Sequence, residues 1–293
     1  MLITCRQIAG TRSVCLLVLC LMLVLPSAVY TQIRHATGQN VVPVFEGWER
    51  MSDGSFDMVF GYMNRNYEEE VNIPIGADNS FEPGGDRGQP THFYRRRQQF
   101  TFRVSVPKDW GDKELIWTLT AYGRTEKAYG TLATTYELDQ ELYRANRGAP
   151  TSEGTNRSPS IEVVGTVQRT ARMSAPVELT VNVSDDGNPP GRTRVRRGAN
   201  ERTADQPEPV GGRRESPIAQ AVVRLDPGVR LGVTWVFYRG GPGTIGFEPM
   251  RTPVMDGKAT TKVSFSSPGT YQVRAYADDG VLTTPADIII TVN

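Results

Sequence analysis

The sequence predicts an all-β protein built from two β-sandwich domains, and three features of the chain support this. Short segments in which apolar and polar residues alternate recur along most of its length. Such alternation is typical of strands that bury one face in an antiparallel sheet. Gly, Pro, Asn and Asp separate the segments, as expected for turns. One short helix is predicted at 139–146, with Asp139 as its cap and Gly148 as its end.

The first sandwich is predicted over residues 40–146. Between the strands predicted at 56–63 and 100–106, residues 76–93 are rich in Gly, Pro, Asn and Asp, which predicts a long loop. Residues 147–160, which follow the domain, are small and polar, and this composition predicts a linker. Alternation indicates strands at 56–63, 100–106 and 115–121.

The second sandwich is predicted over residues 161–293, where seven alternating segments are separated by turn signals. Seven short strands in this order are what an immunoglobulin-like sandwich requires. Trp235 falls on the third strand, where such folds often bury a tryptophan. Tyr271 opens the sixth strand, where a tyrosine corner would bond the preceding turn; the alternative is that both are ordinary core aromatics. The strands, labelled A to G, are 161–163, 177–184, 233–237, 245–247, 261–265, 271–277 and 288–292.

The connection between strands B and C is unusually long, at about 40 residues. Within it, residues 192–215 are rich in Arg, Gly, Pro and Glu and poor in apolar side chains, which predicts a disordered insertion. Residues 221–225, after the insertion, are predicted to add an edge strand.

Residues 1–31 have the pattern of a signal peptide. Arg6 and Arg12 precede an apolar run of about 12 residues, Val14 to Leu25, which is shorter than a membrane span. A retained membrane anchor is the alternative. All three cysteines lie in this segment, so the cleaved chain is expected to lack disulfides and thiolate metal sites. The protein is predicted to be exported, to the periplasm or the cell exterior, without stable membrane insertion after cleavage.

Several motifs of the second sandwich resemble those of PKD-like repeats, immunoglobulin-like modules of exported bacterial proteins. These motifs are "VTWVFYRGGPGTIGF" and "SSPGTYQVRAYADDG", and the resemblance covers about 160–293 apart from the insertion. The Trp-Asp-Phe-Gly-Asp-Gly signature is missing, so the resemblance is to the divergent branch. In the first sandwich, the loop Asp86–Thr91 ("DRGQPT") resembles part of an exported bacterial β module of unassigned activity.

Residues suited to catalysis are sparse, and no enzyme is predicted. The chain has two histidines, His35 and His92, and no Gly-x-Ser-x-Gly motif, which argues against a serine triad and a zinc site. A hydrolase with paired carboxylates is the remaining alternative. The run Glu68–Glu70 is more typical of a charged surface turn or of the edge of a strand.

Two groups of side chains are candidates for binding a glycan or a polyanion. The run Arg95–Arg97 follows three aromatic rings, and arginine among aromatics suits both ligands. More often such a run is a charged strand edge. A glycan platform would need exposed aromatic rings, for which the candidates are Trp48, Trp110, Tyr94 and Tyr122.

Paired aspartates open two loops of the second sandwich. Asp185 and Asp186 begin the B–C loop, and Asp278 and Asp279 begin the F–G loop. Because successive strands run in opposite directions along the sandwich, every second loop lies at the same end. The B–C and F–G loops therefore share one end with the D–E loop, which holds Asp256. Oxygen ligands in loops suit calcium, so the four paired aspartates are a candidate calcium site. The alternative is that they shape turns through bonds to nearby N–H groups, with the Arg-rich insertion neutralising them.

These observations together predict a non-catalytic, exported binding or structural module of the bacterial cell envelope. Its expected partner is an envelope or extracellular protein or a glycan. The net charge of +1 argues against nucleic acid. A carbohydrate-binding accessory protein is the main alternative, followed by a hydrolase. No cofactor is predicted apart from the candidate calcium.

Overall fold

The computed structural model describes residues 35–147, 155–173, 175–189 and 221–293. The predicted signal peptide, half of the predicted linker and the predicted insertion lie outside the described residues. Among the described residues, no helix is long and apolar enough to cross a membrane.

The first sandwich consists of eight strands in three sheets, which are β1–β2–β6, β4–β7–β8 and the short pair β3–β5. Antiparallel pairing joins neighbours throughout these sheets. The strands are β1 Val41–Arg50, β2 Phe56–Asn64, β3 Val71–Asn72, β4 Asn79–Glu82, β5 His92–Phe93, β6 Arg96–Val106, β7 Leu115–Ala121 and β8 Arg124–Gly130.

An aromatic cluster fills the space between the sheets of the first sandwich. The rings of Phe81 and Trp117 stack with centroids 5.7 Å apart, and Phe60 meets both rings edge-on. Because Phe81 contributes to this core, its segment pairs with β7 as strand β4. The prediction of a continuous loop over 76–93 is therefore wrong. It missed β4 and β5, whose alternation is too short to be recognised without their partners.

The predicted helix is confirmed as α1, Gln140–Asn146. The carboxylate of Asp139 accepts a hydrogen bond from the backbone N–H of Leu142 at 2.8 Å, which satisfies a donor that the first helical turn leaves free.

Within the described residues, the second sandwich consists of the five-stranded sheet β10–β17–β16–β12–β14 and the four-stranded sheet β13–β15–β11–β9. All seven predicted strands are present. The structure adds β10, which pairs in parallel with β17, and β14, which pairs with β12. The strands are β9 Ser160–Val163, β10 Gln168–Ala171, β11 Val177–Ser184, β12 Gly232–Gly240, β13 Ile245–Glu248, β14 Arg251–Pro253, β15 Lys258–Phe265, β16 Gly269–Asp278 and β17 Thr283–Val292.

The two aromatic residues singled out in the second sandwich lie where they were predicted. Trp235 is fully buried on β12. The hydroxyl of Tyr271 donates to the carbonyl oxygen of Ser267 at 2.7 Å and accepts from the N–H of Gly243 at 3.2 Å. The tyrosine corner is therefore confirmed.

The edge strand predicted at 221–225 is wrong. These residues form no strand, and the N–H of Val222 donates to the side-chain oxygen of Gln98 in the first sandwich at 2.9 Å. The segment lies against the other sandwich, where it forms part of the contact described next.

Candidate functional site at the junction of the sandwiches

The loop Asp86–Thr91, between β4 and β5, joins the first sandwich to strand β12 of the second. The carboxylate of Asp86 accepts two hydrogen bonds from the Arg239 guanidinium, at 2.7 and 3.1 Å. The N–H of Thr91 donates to the carbonyl of Tyr238 at 3.0 Å, and its hydroxyl accepts from the N–H of Gly240 at 3.1 Å. Charge-assisted and backbone hydrogen bonds therefore fix the same loop on the same strand.

Gln89 holds this junction loop in shape. It is fully buried, and its side-chain oxygen accepts from the N–H of Arg87 at 2.7 Å. Its amide nitrogen donates to the carbonyls of Gly85, at 3.1 Å, and Asn79, at 3.3 Å. Because buried polar groups must be paired, this side chain ties the loop to the first sandwich.

Tyrosine hydroxyls add hydrogen bonds across the junction. The Tyr94 hydroxyl accepts from the N–H of Phe237 at 2.8 Å, and the Tyr276 hydroxyl donates to the carbonyl of Thr101 at 2.6 Å. Burial raises the pKa of both phenols, so both hydroxyls stay neutral at physiological pH.

Arg274 supports the second sandwich's side of the junction. Its guanidinium lies 3.5 Å from the centroid of the Tyr238 ring and donates to Asp287 at 2.6 and 2.8 Å. The Tyr238 hydroxyl in turn donates to the carbonyl of Gly88 in the junction loop. The Arg274 guanidinium is thus paired with Asp287 and stacked on the Tyr238 ring, and this stacking holds the Tyr238 hydroxyl toward the loop.

His92 is part of the junction. Its ring is almost fully buried and stacks on Phe237 with centroids 4.5 Å apart. Its two ring nitrogens lie 2.8 Å from the side-chain oxygen of Asn72 and 3.1 Å from a carboxylate oxygen of Glu70. Both nitrogens therefore have partners within the protein, and the geometry favours a packing role for His92.

The arginine run 95–97 has partners inside the protein. Arg95 lies 3.8 Å from Glu70, and the Arg96 guanidinium lies 3.8 Å from the centroid of the Tyr67 ring. Arg97 pairs with Glu46 at 2.7 Å, and although burial raises the pKa of Glu46, this arginine opposes the shift. These contacts favour the structural interpretation of the run.

Three of the four aromatic residues predicted for a glycan platform are buried, so that prediction is wrong for them. Trp48 and Trp110 donate their indole N–H groups to the carbonyls of Ala133 and Lys113. Tyr94 lies in the junction, and Tyr122 alone of the four is exposed, at 53%. Trp48 and Trp110 point inward because they complete the apolar core.

The B–C and F–G loops lie side by side at one end of the second sandwich. Asn156 donates to the carboxylate of Asp279 at 2.9 Å, and the N–H of the next residue, Arg157, donates to Asp186 at 3.1 Å. One short segment thus contacts both loops, in agreement with the parity of the strands.

The four aspartates at this end have partners in the protein. Asp185 pairs with Arg230 at 2.8 Å, and Asp278 pairs with Arg147. Burial raises the pKa of Asp279, although N–H donors of its own loop oppose the shift. Within the described ranges, no group of three or more His, Cys, Asp or Glu residues is arranged to hold a metal ion. Calcium binding at Asp185, Asp186, Asp278 and Asp279 stays a prediction.

Sequence reasoning missed the residues of the second sandwich that form the junction. Tyr238, Arg239 and Tyr276 lie within the two motifs quoted from the second sandwich, but nothing in those motifs marks these side chains as contacts with another domain. The one available signal was the dense turn sequence of the junction loop, which marks an ordered loop without naming its partner.

Comparisons with known proteins place no family name on the chain. No protein-family model and no curated protein match it. Similar solved structures include the S-layer protein rSbsC(31-844), at 9% identity, covering 83% of this chain and 24% of that chain with a TM-score of 0.24. The fibronectin(III)-like modules of Clostridium thermocellum CbhA align at 10% identity, 87% and 94% coverage and a TM-score of 0.23. The D00-D0 domain of intimin aligns at 10% identity, 86% and 100% coverage and a TM-score of 0.24. TM-scores this low support no inference about this chain.

Proposed function

We propose that the protein is a non-catalytic, exported binding or structural module of the bacterial cell envelope, which acts through contacts with a protein or a glycan. The observation that carries this proposal is the junction. Two side chains of the first sandwich are of types often used in catalysis or binding, Asp86 and His92. Asp86 accepts hydrogen bonds from β12 of the second sandwich, and His92 stacks on the same strand. They serve to hold two sandwiches in one arrangement.

Two sandwiches held in one fixed arrangement are suited to act as a spacer or as a scaffold that presents a binding surface. Contacts between domains of one chain are often loose. An arginine–carboxylate pair joined by two hydrogen bonds restricts both the rotation and the separation of the two domains. The additional bonds from Thr91, Tyr94 and Tyr276 lie on the same side of the second sandwich, on β12 and β16. The junction therefore resists bending at several points.

Cosedimentation with envelope fragments of the producing cells tests the proposal. The chain from Gln32 onward should pellet with the fragments. Loss of pelleting after protease treatment of the fragments identifies a protein partner, and loss after periodate oxidation identifies a glycan. The Tyr122→Ala variant, with Tyr129→Ala as its exposed control, tests the remaining aromatic candidate. No pelleting under any condition, or location of the protein inside the cell, would contradict the proposal.

Calcium at the loop end of the second sandwich is a separate prediction with its own support. One side-chain oxygen of Asp185 and one of Asn156 are buried and have no hydrogen-bond donor in the part of the chain that the structure describes. A cation that binds only the folded state raises the thermal midpoint. A higher midpoint in calcium than in chelator would support the site, and equal midpoints would exclude it.

A further inference from the structure

A partly enclosed cavity, with about 30 Å³ of space for water, lies at the junction. Tyrosine and histidine rings line it together with apolar side chains from both sandwiches. Val222 and Val223, from the segment with the wrongly predicted edge strand, form part of its wall. Its lining residues with polar side chains are Tyr62, His92, Tyr94, Gln98, Thr101, Tyr238 and Tyr276.

Two of the tyrosine hydroxyls have protons without an acceptor. The Tyr62 hydroxyl accepts from the N–H of Tyr94 at 2.9 Å, and the Tyr94 hydroxyl accepts from the N–H of Phe237 at 2.8 Å. In each case the phenol oxygen is the acceptor, so its own proton remains to be donated. Within the described ranges, neither proton has an acceptor, although both residues are more than nine-tenths buried.

Both phenols stay protonated in this setting. Burial is the main cause that raises the pKa of Tyr62 and of Tyr94, and the nearby Tyr276 hydroxyl adds to both shifts. Each hydroxyl therefore keeps a proton to donate. A buried donor without an acceptor destabilises the folded protein, so two in one cavity call for a shared acceptor.

The size of the cavity selects that acceptor. One water needs roughly 10–15 Å³ of such space and between two and four polar partners. A cavity of about 30 Å³ has room for one or two waters and is too small for a sugar or a nucleotide. The Tyr276 hydroxyl, which donates to Thr101, still has a lone pair to accept a hydrogen bond from the water.

We propose that the junction cavity binds one ordered water molecule, which accepts hydrogen bonds from the hydroxyls of Tyr62 and Tyr94. Tyr62 and Tyr94 belong to the first sandwich, and Tyr276 and Phe237 on the cavity wall belong to the second. The water is thus a structural ligand that links the two sandwiches. This inference does not depend on the partner of the protein in the cell.

Oxygen-17 relaxation dispersion, which counts waters held for microseconds, tests the proposal on the chain from Gln32 onward. The double variant Tyr62→Phe/Tyr94→Phe removes both donors and keeps both rings, and we expect it to lose one long-lived water. Tyr129→Phe, which changes an exposed ring of the first sandwich, should lose none. An unchanged count in the double variant contradicts the proposal, as does an organic molecule in the cavity of a high-resolution crystal structure.

A second measurement keeps the test valid if the double variant folds poorly. Val236→Ile adds one methylene to the cavity wall and leaves every tyrosine in place. We expect this variant to lose the same water. The stability effects of the two single Tyr→Phe changes should also be non-additive, because both donors bind one water. Additive effects, together with an unchanged count in Val236→Ile, would overturn the proposal.

Discussion

The Tyr271 hydroxyl joins the turn before β16 to the segment after β12, through Ser267 and Gly243. We expect Tyr271→Phe to lower the free energy of unfolding by about 1–3 kcal/mol, because it leaves the buried N–H of Gly243 without its partner. Urea unfolding measures the change. Tyr129→Phe, on an exposed ring, should change stability by less than about 0.5 kcal/mol. Equal stability of Tyr271→Phe and the parent protein would contradict the corner's role.

Gly241 makes the close approach of the Tyr271 ring feasible. A Cβ atom at this position would lie 1.9 Å from the ring, and the backbone has a φ of 43°. We expect Gly241→Ala to destabilise the protein by about 3 kcal/mol or more, through the clash and the strained backbone. Gly123→Ala is the matched control, because its φ is also positive but no atom lies within 4 Å of the added Cβ. If both variants lose the same stability in urea, backbone strain alone explains the effect.

The ion pair between Asp86 and Arg239 should make the junction sensitive to acid. Hydrogen bonds from Arg239 lower the pKa of Asp86. A lowered folded-state pKa stabilises the protein above the unfolded-state pKa, and this stabilisation is lost as the pH falls through the folded-state pKa. We therefore expect the stability difference between the parent protein and Asp86→Asn to be full above about pH 5 and to shrink on acidification. Urea unfolding at stepped pH checks this, and a difference independent of pH would contradict it.

At the scale of elements, the junction loop depends on one buried side chain. Gln89→Ala removes the groups that bond Arg87, Asn79 and Gly85, and we expect a loss of about 2–3 kcal/mol in the free energy of unfolding. Hydrogen exchange at the N–H of Gly240, which donates into the loop, should accelerate. Gln168→Ala on an exposed strand is the control, and unchanged exchange at Gly240 in Gln89→Ala would show that the loop does not need this side chain.

The elements show how far sequence reasoning reaches. Long alternating runs predicted their strands, because one buried face leaves a pattern that a single segment carries by itself. Strands of two to four residues, such as β4, β5 and β14, exist because a partner offers hydrogen bonds, so their own sequence gives little sign of them. The same holds for the aromatic candidates. Alternation did not say whether Trp48 or Trp110 faces solvent or core, since that depends on the packing of other segments.

At the scale of the whole molecule, the junction was beyond prediction because its contacts join residues far apart in the chain. The junction loop and β12 each follow ordinary local rules, and only their meeting gives Asp86 and Arg239 a role. For the candidate calcium ligands, the sequence predicted their shared location but not their partners. The end of the sandwich they share followed from strand parity, but their pairing with Arg147 and Arg230 did not.

The central claim is that the junction holds the two sandwiches in one arrangement, and a distance measurement between them tests it most directly. The chain from Gln32 onward has no cysteine, so spin labels can be attached to Lys127→Cys and Lys262→Cys, one exposed site on each sandwich. Pulsed electron paramagnetic resonance should give a single narrow distribution of distances between the two labels. Arg239→Ala, which removes the ion pair with Asp86, should broaden it. A broad distribution in the parent protein would contradict the claim.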